Sequence, residues 1–282
     1  MKGGKEGRRG KEGFALLLVI WTLTLAAGLA VVMLGETRSG AVIARNRIER
    51  ARAETLAQSG INLAILHLIA ADPAGRWGAG TRHDLALSGG HVALAIDDED
   101  GKLDLNAAPM ELFDGLAGAL DLDAQDRTAF LAGIATRRQS ARDGGALALP
   151  DIVALSRRPF RDISELRLIA GLSKAAYERI SPYVTVWSGG MTINPMTALP
   201  PVLLALPNVG PKEVETYLDG RKSGALTLPG GGRYVAPVPL HTVTITADAV
   251  TDGRARFIRQ AVVRITADLP FMPYRILAWR QP

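Results

Sequence analysis

From Phe14 to Gly35 the chain runs FALLLVIWTLTLAAGLAVVMLG without one charged residue. A helix rises 1.5 Å per residue, so about 20 apolar residues cross the ~30 Å hydrocarbon core of a bilayer. The run is long enough to span. A secretory signal core is shorter, roughly 7–15 residues, and fits poorly, although small residues near Ala26 to Ala30 keep a cleavable signal open as the alternative. Upstream, Met1 to Gly13 contains only Met, Lys, Gly, Glu and Arg, and reads Gly-Lys-Glu-Gly twice. Such a segment has nothing to bury, and disorder is expected of it.

Downstream, no helix breaker occurs before Asp72-Pro73. Ala44, Ile48, Ala51, Thr55, Ser59, Leu63, Leu66 and Ala70 recur at spacings of three and four, which predicts one helix face. Arg45–Glu49 and Arg50–Glu54 stand at i,i+4, in the weaker order of cation before anion. The pattern predicts a single rod from Phe14 to Ala71, about 85 Å long, half in lipid and half against a globular head. An ordinary anchor followed by an unrelated helix is the plainer alternative. Lys2, Lys5, Arg8, Arg9 and Lys11 precede the apolar run, but Arg38, Arg45, Arg47, Arg50 and Arg52 follow it. Flanking charge alone therefore does not orient the span.

The 48% apolar and 22% charged residues describe a folded protein. The lack of cysteine excludes a disulfide scaffold, a thiolate zinc site and a cysteine nucleophile. A net charge of +5 and a pI near 9.7 invite a nucleic-acid reading. The first thirteen residues, however, hold five of the 33 basic and two of the 28 acidic side chains. The rest of the chain is almost neutral.

Strand signals come at the two ends of the head. His91–Ile96 alternates weakly and leads through the acidic turn Asp97–Gly101 to Lys102–Leu105. His241–Thr246 and Arg256–Thr266 flank Thr251-Asp-Gly-Arg254, a strong hairpin signal, and Ile276–Trp279 adds a last strand. Between them the chain is rich in Ala and Leu. The fold class expected is α+β: a long N-terminal transmembrane and rod helix, a small antiparallel sheet, and a large α-helical insertion. The boundaries are 1–13 leader, 14–35 span, 36–72 rod continuation, 73–106 with 233–282 sheet domain, and 107–232 insertion.

Within the insertion Leu103–Ala108 and Ile193–Ala198 each precede a helix in a weak repeat. Leu206-Pro-Asn-Val-Gly210 followed by Pro211–Arg221 has the outline of a helix-hairpin-helix, and Ile163–Ile180, turning at Gly171, reads as a second such unit. Turns of this kind can offer backbone N–H groups to a DNA phosphate. Here Asn208 replaces the first glycine, Pro211 removes a donor, and Lys212, Arg221 and Lys222 are balanced by Glu213, Glu215 and Asp219. A packing role is the favoured reading. The acidic turn fails as an EF-hand loop because Ile96 and Ala107 fall where ligands are needed, and a solvated turn is expected. His67, His83, His91 and His241 show no metal-ligand spacing, Gly230–Gly232 lacks the Lys-Ser/Thr of a phosphate loop, and Asp121 and Asp123 read as helix caps. No catalytic constellation is legible.

A short basic leader ending in Gly13, with Phe14 opening an apolar helix, resembles the prepilin class of type IV pilins and type II secretion pseudopilins. The resemblance implies a prepilin peptidase cut between Gly13 and Phe14 on the cytoplasmic face, N-methylation of Phe14, and a head on the far side of the inner membrane. Most members carry Glu at the fifth mature position; here it is Leu18. A subunit without that Glu cannot neutralise the terminal amine of an earlier subunit, yet its own amine can accept a Glu from a later one. The resemblance therefore places such a subunit at the filament tip, as in the minor pseudopilin K family (general secretion pathway protein K). AIDDEDGKLDLNAAPMEL at Ala95–Leu112 is similar to that family's D-E-x-G-K signature. Phe160–Trp187 and Thr192–Gly210 are similar to its two later ones, with Met196 where a second Asn is usual. The function implied is a non-enzymatic minor pseudopilin that caps or initiates the pseudopilus for export of folded periplasmic proteins. Its implied partners are other minor pseudopilins through the N-terminal helix, the peptidase, the inner-membrane platform and secreted substrates. The family implies no cofactor beyond a possible calcium, and no nucleic acid is expected. The competing function is a membrane-anchored, competence-type DNA-binding protein.

Overall fold

The computed structural model describes residues 7–143, 160–222, 232–235, 241–266 and 271–281. The side chains at 7–13, 15, 30–39, 41, 73, 141–143 and 222 lie outside this description. So do Met1–Glu6 of the leader, and Gly230 and Gly231 of the glycine run.

Helix α1 is unbroken from Gly7 to Leu68, 62 residues and about 93 Å. The expected rod is present. It starts inside the segment for which disorder was expected, because extending an existing helix adds a hydrogen bond per residue without a second nucleation. From Ala53 onward one face is buried: Ala53, Leu56, Ala57, Ile61, Ala64, Ile65 and Leu68. This is not the stripe the spacing predicted, for Ala51, Thr55, Ser59 and Leu66 lie outward. Small residues set the choice of face. Gly60 sits so near the sheet that a Cβ would come within 2.7 Å of a Val92 methyl. Ala53, Ala57, Gly60 and Ala64 let the helix axis approach the sheet closely, and Leu56, Ile61, Ile65 and Leu68 between them supply the apolar contact. At the end of α1, Trp77 lies between the rings of His67 and His83, at 4.2 and 3.7 Å, and the Trp77 N–H donates to His67 O. Two of the four histidines are thereby accounted for.

Five antiparallel strands form one sheet in the order β1-β2-β5-β6-β7. They are β1 (Arg82–Leu87), β2 (Gly90–Asp98), β5 (Thr242–Thr251), β6 (Arg256–Ile265) and β7 (Tyr274–Arg280). Alternation turns Val92, Leu94 and Ile96 of β2, and Val243, Ile245, Ala247 and Ala249 of β5, onto α1. The Asp-Gly hairpin joins β5 to β6, with Arg254 taking the left-handed conformation (φ 64°). Strand β1 was not anticipated, since Arg82-His-Asp carries little apolar signal. It is an edge strand, where charge is tolerated and discourages unwanted pairing. The expected turn from β2 into Lys102–Leu105 is also corrected. Leu103–Asp104 (β3) leaves the sheet and pairs in parallel with Val184–Thr185 (β4).

Between β2 and β5 lies a second core built from α2 (Met110–Ala119), α3 (Ala124–Asp143), a 3₁₀ turn (Ile163–Leu168), α4 (Lys174–Ile180), α5 (Pro200–Leu204) and α6 (Pro211–Lys222). Phe113 and Phe130 meet edge to face at its centre, 5.8 Å apart. Gly171 turns the chain before α4 at φ 85°, as expected, although the segment ahead of it is 3₁₀ rather than α. The architecture is therefore mixed: a rod helix on an antiparallel sheet, with an α-rich body inserted between two sheet strands.

Candidate functional site

Two regions stand out: the part of α1 that clears the head, and the place where the α-rich body joins the sheet. On α1, Gly13 and Phe14 are consecutive helical residues, and Phe14 is 68% exposed. Leu18 lies one turn on within Leu16-Leu-Leu-Val-Ile20, five neighbouring large apolar residues that are all exposed. Five consecutive residues pass right round a helix, so no side of it is covered by the rest of the chain. The hydroxyls of Thr22 and Thr24 donate to Val19 O and Ile20 O, which satisfies them inside the apolar run. Among the described residues no helix is long and apolar enough to cross a membrane. Residues 15 and 30–35 of the Phe14–Gly35 run fall outside the side-chain description.

The expected i,i+4 pairs are replaced by others. Glu49 binds Arg52 at 2.8 Å and accepts from Thr251 Oγ1 at 3.2 Å, while Glu54 binds Arg259 of β6 at 3.0 Å. The glutamates thus tie the rod to the sheet.

The acidic turn is buried, against the expectation of a solvated one. Asp98, Glu99 and Asp100 are each less than a tenth exposed. Burial of three acids is tolerable only if their oxygens are bonded, and they are. The Asp98 carboxylate accepts from Asn194 Nδ2 (2.9 Å), Thr197 Oγ1 (2.6 Å) and the Asp100 N–H (3.0 Å). Glu99 accepts from Lys102 Nζ (2.7 Å), Thr244 Oγ1 (2.7 Å) and Thr185 Oγ1. Asp100 accepts the Thr242 N–H, and its own carbonyl takes the Asn194 N–H at 2.7 Å. Burial, reinforced by the Asp98 charge, raises the Asp100 carboxyl to about 6, against the pull of Thr242 N–H, His241 and Arg264. Gly101 is required by space: a Cβ there would meet Thr197 Oγ1 at 2.7 Å and the Thr197 carbonyl carbon at 3.0 Å.

The same motif continues as joinery. Asp104 accepts the N–H groups of Asn106, Ala107 and Gly189. The Asn106 side chain pairs with both the N–H and the C=O of Phe160, 54 residues away. Arg138 donates to the carbonyls of Asp104, Leu105 and Ala108. Met196, in the usual Asn position, places its sulfur 3.9 Å from Tyr217 Oη, so packing occupies that place. The D-E-x-G-K segment therefore locks the α-rich body to strands β2 and β5.

These carboxylates do not fit calcium. Both oxygens of Asp98 and of Glu99 are engaged by N–H and O–H donors, as is Oδ2 of Asp100, and among the described residues no three His, Asp or Glu side chains are placed to share a metal. The turn at Leu206–Gly210 is likewise structural. Leu206 and Val209 are buried, Asn208 takes φ 60°, and the Gly210 N–H is held by Glu213 Oε2 at 3.1 Å. That donor is committed within the chain.

Rod, sheet and inserted α-rich body together define the class: a stalked head whose stalk and signature motif share one scaffold. Residues 90–189, which contain the acidic junction, match the family model for protein K of the type II secretion system (T2SS). The type II secretion system protein K of Pseudomonas aeruginosa (strain PAO1) is 36% identical over 83 residues, covering 29% of this chain. The match spans 25% of that relative's length. Among solved structures, a chain of the GspK-GspI-GspJ complex from enterotoxigenic Escherichia coli superposes with a TM-score of 0.53 at 16% identity. It covers 88% of this chain and 99% of that one, a likeness of fold.

Proposed function

We propose that this chain is a minor pseudopilin that starts, and so caps, a type II secretion pseudopilus. The observation that carries the proposal is the free length of α1. A helix with exposed apolar side chains all round needs either lipid or other helices against it. A bundle of pseudopilin helices supplies the second after the membrane has supplied the first. In this reading residues 14–35 cross the inner membrane, Gly13–Phe14 is the peptidase bond, Phe14 becomes N-methylated, and the head lies in the periplasm. Leu18 in place of a glutamate puts the subunit first in the filament, since a buried carboxylate there would need the amine of an earlier subunit. The assembly platform and its motor then act on the growing filament, and the head meets folded substrates or the outer-membrane channel. The role is mechanical rather than catalytic.

The solved chain of similar fold comes from a GspK-GspI-GspJ complex, which supports proteins of that kind as partners. Co-expression with the organism's own minor pseudopilins tests this. The head should co-purify with them in a defined complex, and purification alone under those conditions contradicts the proposal. The DNA-binding reading draws no support from the Leu206–Gly210 turn. Salt-dependent DNA binding by the head would restore it.

A further inference from the structure

The arginines that follow the apolar run are unexplained by topology, and the structure gathers two of them, Arg45 and Arg50, with two from the β5–β6 hairpin. Where the rod leaves the head, α1 and the β5–β6 hairpin enclose an open cleft of about 730 Å³, lined by Arg45, Glu49, Arg50, Arg254, Arg256 and Phe257 among others. Glu49 is the one acid lining it, and its charge is already met by Arg52. Arg256 is held bidentately by Asp248. Arg45, Arg50 and Arg254 have no ion-pair partner among the described residues, and Arg50 lies 6.0 Å from the Phe257 ring. Asp252, the acid of the hairpin turn, lines a neighbouring groove beside Ser88 and Gly89 that shares Glu49 and Gly253 with the cleft. Gly253 keeps the cleft closed at its base, since a Cβ there would come within 2.4 Å of Glu49 Oε2. Three guanidinium groups without an ion-pair partner among the described residues, around an open cleft, form a site for an anion with several oxygens.

The position of the cleft selects the anion. It opens at the end of the head from which the free rod emerges, and Arg45 is ten residues beyond Gly35, about 15 Å along the helix. Headgroups extend the bilayer by roughly 5–7 Å beyond each side of its hydrocarbon core, a helix tilts by about 20°, and an arginine stem reaches several ångström more. The remaining gap falls within a Debye length, about 8–10 Å. We propose that this arginine cleft binds the phosphate headgroup of an anionic phospholipid, clamping the head against the membrane surface before the subunit is drawn into a filament. This rests on the span reading above.

The test reconstitutes the full chain in nanodiscs of phosphatidylglycerol or of phosphatidylcholine and follows amide exchange at residues 45–50 and 251–257. Exchange should be slower in phosphatidylglycerol, by about five-fold for each of the three arginines engaged, and high salt should abolish the difference. The variant Arg45→Gln/Arg50→Gln/Arg254→Gln should lose the protection, whereas Arg256→Gln should keep it. Equal exchange in both lipids overturns the proposal. So does equal protection by inorganic phosphate in phosphatidylcholine discs, or protection seen only after acidic partner subunits are added. Resistance to carbonate extraction is scored separately. A chain that washes out of both discs overturns the span reading and the cleft with it, while an inserted chain with unprotected amides overturns the cleft alone.

Discussion

Asp98→Ala should destabilise the head by about 3–5 kcal/mol and loosen the α-rich body from the sheet. The carboxylate serves three donors, two of them from residues 96 and 99 positions away in sequence. Alanine strands the Asn194 amide, the Thr197 hydroxyl and the Asp100 N–H in a buried site, and each unmet donor costs about 1–3 kcal/mol. Urea unfolding measures the loss, and limited proteolysis should cut near Asp98–Asn106 in the variant but not in the parent. Asp98→Asn keeps the shape while removing the charge. Its amide oxygen can replace one accepting oxygen while its NH2 faces a donor, so it should recover only part of the stability, and NMR titration should find the Asp100 carboxyl shifted back toward the ordinary carboxylate range, since the Asp98 charge is one of the two causes that raise it. A variant as stable as the parent, with no new cleavage, would show that the junction is not what holds the two cores together.

The second large effect is at Gly115. By helix propensity alone, replacing this glycine in α2 should help, by up to about 1 kcal/mol. A Cβ there, however, would lie 2.3 Å from the carbonyl oxygen of Ala205 at the end of α5, and this is backbone with no rotamer to yield. Overpacking outweighs propensity, and Gly115→Val should cost about 3 kcal/mol. Gly118, one turn along the same helix, has nothing within 4 Å of its would-be Cβ. Gly118→Ala should therefore stabilise by about 0.5–1 kcal/mol. Opposite signs for two glycines of one helix, read from thermal unfolding, separate crossing geometry from propensity. Equal signs would mean that α2 and α5 do not cross at Gly115.

What could be read from the sequence was what depends on neighbours in the chain. The rod was legible because nothing between Phe14 and Ile69 breaks a helix, and the β5–β6 hairpin because Asp-Gly sits between alternating runs. The face of the rod was misread. Ala53, Ala57, Gly60 and Ala64 carry little hydropathy, and their value is the room they leave, which only the approaching sheet reveals. The acidic turn was misread for the same kind of reason. Four successive acids look solvated, and Asp97 is, but Asp98, Glu99 and Asp100 are buried by Asn194, Thr197, Thr242 and Thr244 from about a hundred residues or more away. The signature at Ala95–Leu112 could be matched to a family from its order of residues, but its task as a joint between two cores was visible only in three dimensions. The arginines at 45, 50 and 254 belong with these, because a loose charge and a clustered one have the same composition.

The central claim is that Phe14 is where the mature subunit begins. Intact mass and N-terminal sequencing of the chain recovered from membranes of its own host, with and without prepilin peptidase, test it most directly. The prediction is a chain starting at N-methylated Phe14 when the peptidase is present and retaining the thirteen-residue leader when it is absent. A start near Ala30, or an uncut chain in both cells, would contradict the account.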